Sequence, residues 1–366
     1  MNTKDLKRAL GQSKPFISRY STLPILNNVA LYTGDGRLWI EASNLEIFCR
    51  IPVAHAGEFA GITVEHKVLA KIAGALDCPT LDFASDNDHL VITGTGTTAR
   101  LPGIDRDEFP ITPRKADKIM AVMGAGVLKR VATLVAPSAL TDESRPVLMQ
   151  VCVELTKEGA LFIASDGYML SKLGVQANGD YAAIDDEATL LVPAKAWKAI
   201  AGLASSANED VTLGIVLDKE GEPRQAMFSF ASGAQAVAML YNMSPFPKWQ
   251  DIWPAAFTGS AVVTNLGKAI KPLLSLAGRD YLKSAWIFSD AGLHISAKGE
   301  DGASMARSVE AVVTGEPLTI HFDITRVNDL LKRKKGNWTL RYGTDFSPMV
   351  FEMGAWATAV MPMLDK

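Results

Sequence analysis

The chain has 366 residues, 48% apolar and 21% charged, which excludes a disordered tail protein and leaves length for two or three domains. A net charge of −3 gives no overall attraction to a polyanion, and the three scattered cysteines, Cys49, Cys78 and Cys152, form neither a disulfide framework nor a zinc spacing. The N-terminus lacks the apolar core of a signal peptide and no apolar run approaches about 18 residues, so a cytoplasmic protein that does not span a membrane is expected.

In chain order, a helix is predicted over 3–12, followed by the segment Thr22-Leu23-Pro24-Ile25-Leu26-Asn27-Asn28-Val29 and a glycine-led strand, Gly36-Arg37-Leu38-Trp39-Ile40. A strand, Ile62-Thr63-Val64, then runs straight into a helix over 65–76, and Thr80-Leu81 opens a strand meander. Turn-formers gather from Leu101-Pro102-Gly103 through Phe109-Pro110 to Pro113 and mark a boundary.

The same series then begins again. A helix is predicted over 126–136, followed by Ser144-Arg145-Pro146-Val147-Leu148-Met149-Gln150-Val151, Gly159-Ala160-Leu161-Phe162-Ile163, and Leu190-Leu191-Val192 running into a helix over 194–206. Thr212-Leu213 opens the second meander, and Pro245-Phe246-Pro247 through Pro254 mark the second boundary. A third pass has a helix over 265–278, where Pro272 predicts a kink or a late start. Gly292-Leu293-His294-Ile295, Ile320-His321-Phe322 running into a helix over 323–335, and Thr339-Leu340 complete it.

Apolar pairs at i and i+3 mark one face of each central helix: Leu69 with Ile72, Trp197 with Ile200, and Val327 with Leu330. The first members lie 128 and 130 residues apart. Three markers recurring in one order predict an α+β fold of three tandem copies of a two-helix, multi-strand domain, bounded at 1–117, 118–252 and 253–366. The first copy lacks a clear opening strand before its helix.

Charge is distributed unevenly over this pattern. Lys and Arg minus Asp and Glu give +12 over the six predicted helices, which leaves −15 for the rest of a chain whose total is −3. Basic residues suit helix surfaces, but glutamate suits them equally and is nearly missing here. The alternative is that six polar helix faces converge on a polyanion without reading its bases. The residues that would meet it are Lys4, Lys7, Arg8, Lys71, Lys129, Arg130, Lys195, Lys198, Lys268, Lys332 and Lys334.

Thr22-Leu23-Pro24-Ile25-Leu26-Asn27-Asn28, Ser165-Asp166-Gly167, Phe109-Pro110 with Phe246-Pro247, and the closing Val360-Met361-Pro362-Met363 resemble the bacterial DNA polymerase III β subunit, the sliding clamp. The resemblance covers essentially the whole chain. It implies a head-to-tail homodimeric DNA-clamp ring of six domains, with helices lining a hole for double-stranded DNA and an acidic exterior. It further implies a processivity factor that binds duplex DNA without sequence specificity and tethers the replicative DNA polymerase catalytic subunit, an ATP-dependent clamp loader and other proteins bearing clamp-binding peptides. Such peptides would enter a pocket between domains two and three, walled by Leu148, Ser165, Asp166, Gly167, Tyr168, Met169, Leu170, Pro247, Asp251, Ile252, Val360, Met361, Pro362 and Met363. Apolar side chains beside proline backbone suit a short linear peptide. The chain departs from the family pattern at Tyr168-Met169, where His-Arg is common, at Asp251, where a basic residue is common, and in its last residues, Leu364-Asp365-Lys366. These departures fit a divergent clamp-like scaffold, such as one of a mobile-element replisome, as the alternative reading.

Enzymatic readings find little support. Gly94-Thr95-Gly96-Thr97-Thr98-Ala99 matches a dinucleotide fingerprint formally, but no helix opens after it, and a hairpin is expected instead. Asp105-Arg106-Asp107-Glu108 reads as a solvated loop rather than a metal site. His55, His66, His89, His294 and His321 stand alone, and no nucleophile elbow or Walker loop occurs. No cofactor, metal or catalytic residue is expected. An enzyme would have to use the inter-domain pocket, which needs converging polar groups that the pocket lacks.

Overall fold

The threefold recurrence is visible in the element order of the computed structural model, which describes residues 1–366 apart from 19–21, 60, 111, 178–180, 184–186, 279–280 and 365–366. The first pass contains α1 (Thr3–Ser13), β1 (Asn28–Gly34), β2 (Arg37–Ser43), β3 (Ile47–Ala54), β4 (Ile62–Glu65), α2 (His66–Ala75), β5 (Asp82–Asp86), β6 (His89–Gly94) and β7 (Thr97–Asp105). The second contains β8 (Lys118–Gly124), α3 (Ala125–Arg130), β9 (Gln150–Leu155), β10 (Gly159–Ser165), β11 (Met169–Gln176), β12 (Tyr181–Ala183), β13 (Ala188–Pro193), α4 (Ala196–Ala201), β14 (Asp210–Leu217), β15 (Pro223–Phe230) and β16 (Gln235–Met239). The third contains β17 (Gly259–Val263), α5 (Leu266–Ile270), β18 (Lys283–Ser289), β19 (Gly292–Lys298), β20 (Ser304–Val309), β21 (Ala311–Gly315), β22 (Leu318–Asp323), α6 (Ile324–Arg333), β23 (Trp338–Tyr342), β24 (Met349–Met353) and β25 (Trp356–Val360).

Local chemistry explains most of these boundaries. Prolines 24 and 146 each start a 3-10 turn, Pro24–Asn27 and Pro146–Met149, that delivers the chain into β1 and β9. Asn2 caps α1 through its side-chain oxygen on the Lys4 N–H, and Asp323 caps α6 on the Thr325 N–H. Pro272 has the expected effect: α5 stops at Ile270 and the chain continues as a 3-10 turn, Leu273–Leu276. Beyond α3 the helix winds on through a π turn, Val131–Val135, before ending at Ala136–Ser138. The glycine motif at 94–99 is a hairpin: Gly94 pairs with Thr97, and Gly96 takes a φ of +68° at the turn. In the first pass only a bridge from Asn2 to Thr80 stands where β8 and β17 open the other two.

The marker residues of the central helices are core residues. Leu69, Trp197, Val327, Ile200 and Leu330 are fully buried, while Ile72 is half-buried. Edge-on aromatic contacts surround them, with Trp197 against Phe228, and Trp286 between Phe322 and Phe351.

The chain divides into two compact units. The first comprises Met1–Lys129, Leu155–Gly159 and Gln176–Asn242; the second comprises Arg130–Glu154, Ala160–Val175 and Met243–Lys366. The first unit carries a twelve-stranded sheet, β12-β8-β14-β15-β16-β3-β2-β1-β4-β7-β6-β5, in which β16 pairs antiparallel with β3 and joins the second pass to the first. In the second unit the strands β9-β10-β11-β25-β24-β23-β17-β21 lie in that order, and a separate sheet runs β20-β19-β18-β22. There β11 pairs with β25, Met169 opposite Val360, and joins the second pass to the third. Both joins place one repeat's strand edge on another's, which removes edges that would otherwise template aggregation.

Candidate functional site

The tail of the chain is anchored. Beyond β25, the Met361 N–H donates to the Tyr168 carbonyl at 2.9 Å, and the Met363 N–H donates to the His321 carbonyl at 2.8 Å. These bonds hold the tail against the entrance of β11 and the strand β22, inside the second unit. The last two residues, Asp365 and Lys366, lie outside the described residues.

The loop facing the tail is shaped by its own side chains. Asp166 accepts from the N–H groups of Tyr168 (2.8 Å) and Met169 (2.7 Å), while Ser165 Oγ accepts from the Gly167 N–H (3.1 Å). Gly167 sits at φ +89°, a conformation that a Cβ would strain. The other carboxylate oxygen of Asp166 meets Arg326 of α6 at 2.5 Å, and the Arg326 guanidinium lies 4.5 Å from the centre of the Tyr168 ring. An aromatic ring, 60% exposed, is thereby held in place by a cation beneath it.

The segment after Pro247 lies against β9 and β11. Trp249 Nε1 donates to Glu154 of β9 at 2.9 Å, and Lys172 of β11 lies 3.7 Å from the Trp253 ring. Burial lowers the Lys172 pKa from its ordinary value. Further along, Arg333 of α6 donates to the carbonyls of Leu134 and Pro137 and to Ser138 Oγ (2.6 Å). Ser138 and Ser171 are 2.6 Å apart, and Ser171 and Thr358 are 2.7 Å apart, in a buried hydroxyl chain. Burial pushes the Arg333 guanidinium down to about 10, so it remains charged at neutral pH.

The residues expected to wall a pocket fall into two groups. Leu148, Ser165, Met169, Leu170 and Val360 are buried, between 2% and 6% exposed. Tyr168, Gly167, Pro247, Asp251, Ile252 and Met361 are exposed, with Pro362 and Met363 half-buried. All belong to the second unit, and the hydrogen bonds above bring the 165–170 loop and the tail together. Among the described residues no hydrogen bond or ion pair ties Pro247 or Asp251 to the tail. Arg326, Arg333, Lys172 and Trp249 were missed by sequence reasoning; apart from Asp323, three residues before Arg326, the partners named here lie 77 to 199 residues away, beyond any local signal.

The helical cations are mostly at the surface. Lys4, Lys7, Arg8, Lys71, Lys129, Lys195, Lys198, Lys268, Lys332 and Lys334 are exposed, whereas Arg130 is half-buried. Among them, Arg8 meets Asp5 at 3.2 Å, Lys332 meets Asp329 at 2.8 Å, and Lys195 pairs with Glu46. With Arg333 turned inward, the charge that α6 offers to solvent is smaller than its sequence count. Within the first unit the helices are neighbours: α1 packs on α2, Gln12 at the end of α1 donates to the carbonyls of Gly202 and Leu203 after α4, and the Gly126 N–H of α3 donates to the Ala207 carbonyl. Among the described residues no group of acids, histidines and cysteines could hold a metal ion, and no helix is long and apolar enough to cross a membrane.

Sheets joined across repeats, each repeat bearing two helices rich in surface cations, define the class of DNA clamps. Comparison with known proteins agrees. Residues 1–113 match the family model of the DNA polymerase III beta subunit N-terminal domain, and residues 123–240 match that of its central domain. The beta sliding clamp of Caulobacter vibrioides is 22% identical over 337 residues, spanning 89% of this chain and 87% of that protein. The beta sliding clamp homolog GriR of Streptomyces muensis is 23% identical over 322 residues, spanning 87% and 83%. Among solved structures, the DNA polymerase III subunit beta of Pseudomonas aeruginosa superposes with a TM-score of 0.89 at 18% identity over 99% of this chain and 98% of its own. The sliding clamp of Bacillus subtilis superposes at 0.88 and 18%, over 100% and 98%. The chain belongs to the DNA polymerase III beta subunit family, the bacterial beta sliding clamps. It is a DNA sliding clamp, a non-catalytic processivity subunit of a DNA polymerase III holoenzyme.

Proposed function

We propose that two copies close head to tail into a ring around duplex DNA, and that the tail-and-loop surface of the second unit receives short peptides from the replicative polymerase, an ATP-dependent clamp loader and other partners. The observation that carries the peptide reading is the tail anchored on Tyr168 and His321, which keeps Met361, Pro362 and Met363 partly open beside an exposed aromatic ring. Apolar side chains held by backbone bonds offer a preorganised surface, and methionine adapts to different side chains. Under this reading the chain comprises three domains, 1–117, 118–252 and 253–366, and works in the cytoplasm.

Two features support ring closure. Thr97–Leu101 of β7 pairs with β6 on one side, while its pairing with β4 begins only at Gly103, so part of that strand edge is available. In the second unit β20 lies at the edge of its sheet beside the 3-10 turn Leu273–Leu276. Pairing two such edges on each side would close a dimer through a heterologous contact. The cations on all six helices, set against an acidic remainder, favour helices toward the phosphates.

Sedimentation should give a dimer at micromolar protein and physiological salt. A ring crosslinked shut should stay on circular duplex DNA in high salt and leave once the DNA is linearised. Loss from circular DNA at high salt would favour the second reading, a clamp-like scaffold that no longer encircles DNA.

A further inference from the structure

The first unit holds a cavity that neither the ring nor the peptide surface uses. It measures about 340 Å³ and is lined by Glu41, Arg106, Asp107, Phe109, Pro110, Thr112 and Arg114. Glu41, on one face of the β1-β2-β3 sheet, reaches it from below. Tyr32 lies opposite Trp39 and Glu41 opposite Arg50, so all four side chains project to the same side. The segment after β7, which leads from the first repeat to the second, forms the cover.

That sheet face is saturated with its own interactions. Glu41 is 5% exposed; it accepts from the Tyr32 hydroxyl at 2.6 Å and faces Arg50 at 3.4 Å and Arg106 at 3.7 Å. Arg50 Nε donates to the Tyr32 oxygen at 2.8 Å, and its guanidinium lies 3.7 Å from the centre of the Trp39 ring. Burial first, and the bond to Glu41 second, push the Tyr32 phenol up to about 12, so it stays a donor to the carboxylate. The Glu41 charge is therefore answered from below.

The cover is not saturated. Arg106 stacks 3.8 Å from the centre of the Tyr32 ring, yet its Nε is buried with no hydrogen-bond partner. Thr112 Oγ1 is buried and unpartnered too. Leaving a buried donor unmade costs about 1–3 kcal/mol, more when the group is charged, so an oxygen-bearing ligand or water that reached these two groups would be favoured. Gly61 is what lets Arg106 lie there: a Cβ at that position would stand 2.4 Å from Arg106 Cδ. Arg114 lies 6.0 Å from the Tyr32 ring centre and borders a neighbouring cavity of about 350 Å³ together with Lys115. At the first cavity the Arg106 and Arg114 guanidinium groups stand with two carboxylates, Glu41 and Asp107, and Arg50 below already answers the Glu41 charge.

We propose that this cavity is a binding site for a small ligand with an oxyanion head, a phosphate or a carboxylate, received by Arg106 Nε–H, the Thr112 hydroxyl and the Arg114 guanidinium. Guanidinium groups suit such oxyanions because their donors are fixed and charged. Phe109 and Pro110 give the body of the ligand an apolar wall. The volume lies at the small end of ordinary ligand sites and admits a compact phosphorylated or carboxylated molecule.

The test uses the full-length protein, with inorganic phosphate and citrate as separate probes in chloride-balanced buffer at constant ionic strength. Calorimetric titration and thermal shift should show saturable binding of at least one probe with a dissociation constant of about 1 mM or tighter. Phosphate alone identifies a phosphate ligand, citrate alone a carboxylate ligand, and both the shared chemistry. Thr112→Val keeps the side-chain shape and removes the hydroxyl, and exposed Arg114→Ala leaves the fold in place. Each should weaken binding about tenfold or more; without ligand the melting temperature should stay unchanged for Arg114→Ala and rise for Thr112→Val, which removes the unmet hydroxyl. No saturable binding of either probe to the unaltered protein, or equal binding by both variants, overturns the proposal. Peptide binding by Arg114→Ala should match that of the unaltered protein, so failure here leaves the function of the second unit untouched.

Discussion

Removing residues 361–366 is the sharpest perturbation of the proposed peptide surface. Met361 is 39% exposed, Leu364 60% exposed and Met363 half-buried, so each has apolar surface that an incoming peptide can still cover. Full burial of such a side chain contributes about 1.5–3 kcal/mol. Scaled by their exposure, the three side chains together offer about 2–4 kcal/mol to a bound peptide, or about 30- to 1,000-fold in affinity. The fold itself loses two backbone hydrogen bonds, Met361 to Tyr168 and Met363 to His321, at roughly 0.5–1.5 kcal/mol each. That loss falls at the end of the chain, while the β11–β25 pairing remains, so the ring should still assemble. Fluorescence anisotropy with a labelled peptide rich in Gln, Leu and Phe measures the affinity, and sedimentation measures assembly. If the truncated protein binds the peptide as tightly as the full chain, the tail is only structural and the peptide surface lies elsewhere. If truncation dissociates the dimer, the separation of peptide surface from ring contact is wrong.

Reversing Lys198 and Lys334 to Glu should weaken DNA retention equally on all sequences and lower the salt slope by about 1 per lysine; reversal of Lys195 should do less, because Glu46 already holds it. A changed base preference in retention assays would contradict a phosphate-only contact. Asp166→Ala removes two backbone acceptor bonds and the Arg326 ion pair, so it should lower stability by about 1–3 kcal/mol by chemical denaturation and weaken peptide binding together with it. Asp166→Asn, which keeps an acceptor oxygen, should recover part of the stability. His66 is buried, bonds the Leu10 carbonyl at 2.8 Å, and has its pKa lowered by burial. A lowered folded-state pKa means that its contribution is complete above the ordinary histidine pKa near 6.5 and is lost as pH falls through the lower folded value. Thermal melts between pH 7 and pH 5 should therefore fall less steeply for His66→Gln than for the unaltered chain.

Legibility in the sequence followed the range of the interactions. The repeats were readable because a buried helix face needs apolar residues at i and i+3, and Leu69, Trp197 and Val327 sit at 0% exposure where that spacing puts them. The 3-10 turns before β1 and β9 follow from Pro24 and Pro146, and the break after α5 follows from Pro272, since proline fixes its own φ and removes a donor. The hairpin at Thr95-Gly96 was readable from the missing helix after it. Surface charge was only half readable: counting located the cations on helices, but pairing with Asp5, Glu46 and Asp329, and the inward turn of Arg333, depend on where side chains end up.

What the sequence determined by itself is the threefold domain pattern, the six helices and their basic character, and membership in a clamp family, because each rests on residues near one another or on a recurring spacing. Only the tertiary structure decided which strand edges join. β16 meets β3 and β11 meets β25 across nearly 190 residues, and backbone pairing carries no residue code that would name a partner. Only it brought Arg326 under Tyr168, divided the residues expected to meet a peptide into buried and exposed ones, and left two unpartnered donors near Arg114 at one cavity. Those arrangements come from the folding of distant segments onto one another, where burial sets the cost of each unmet polar group and so decides which side chains must find one another.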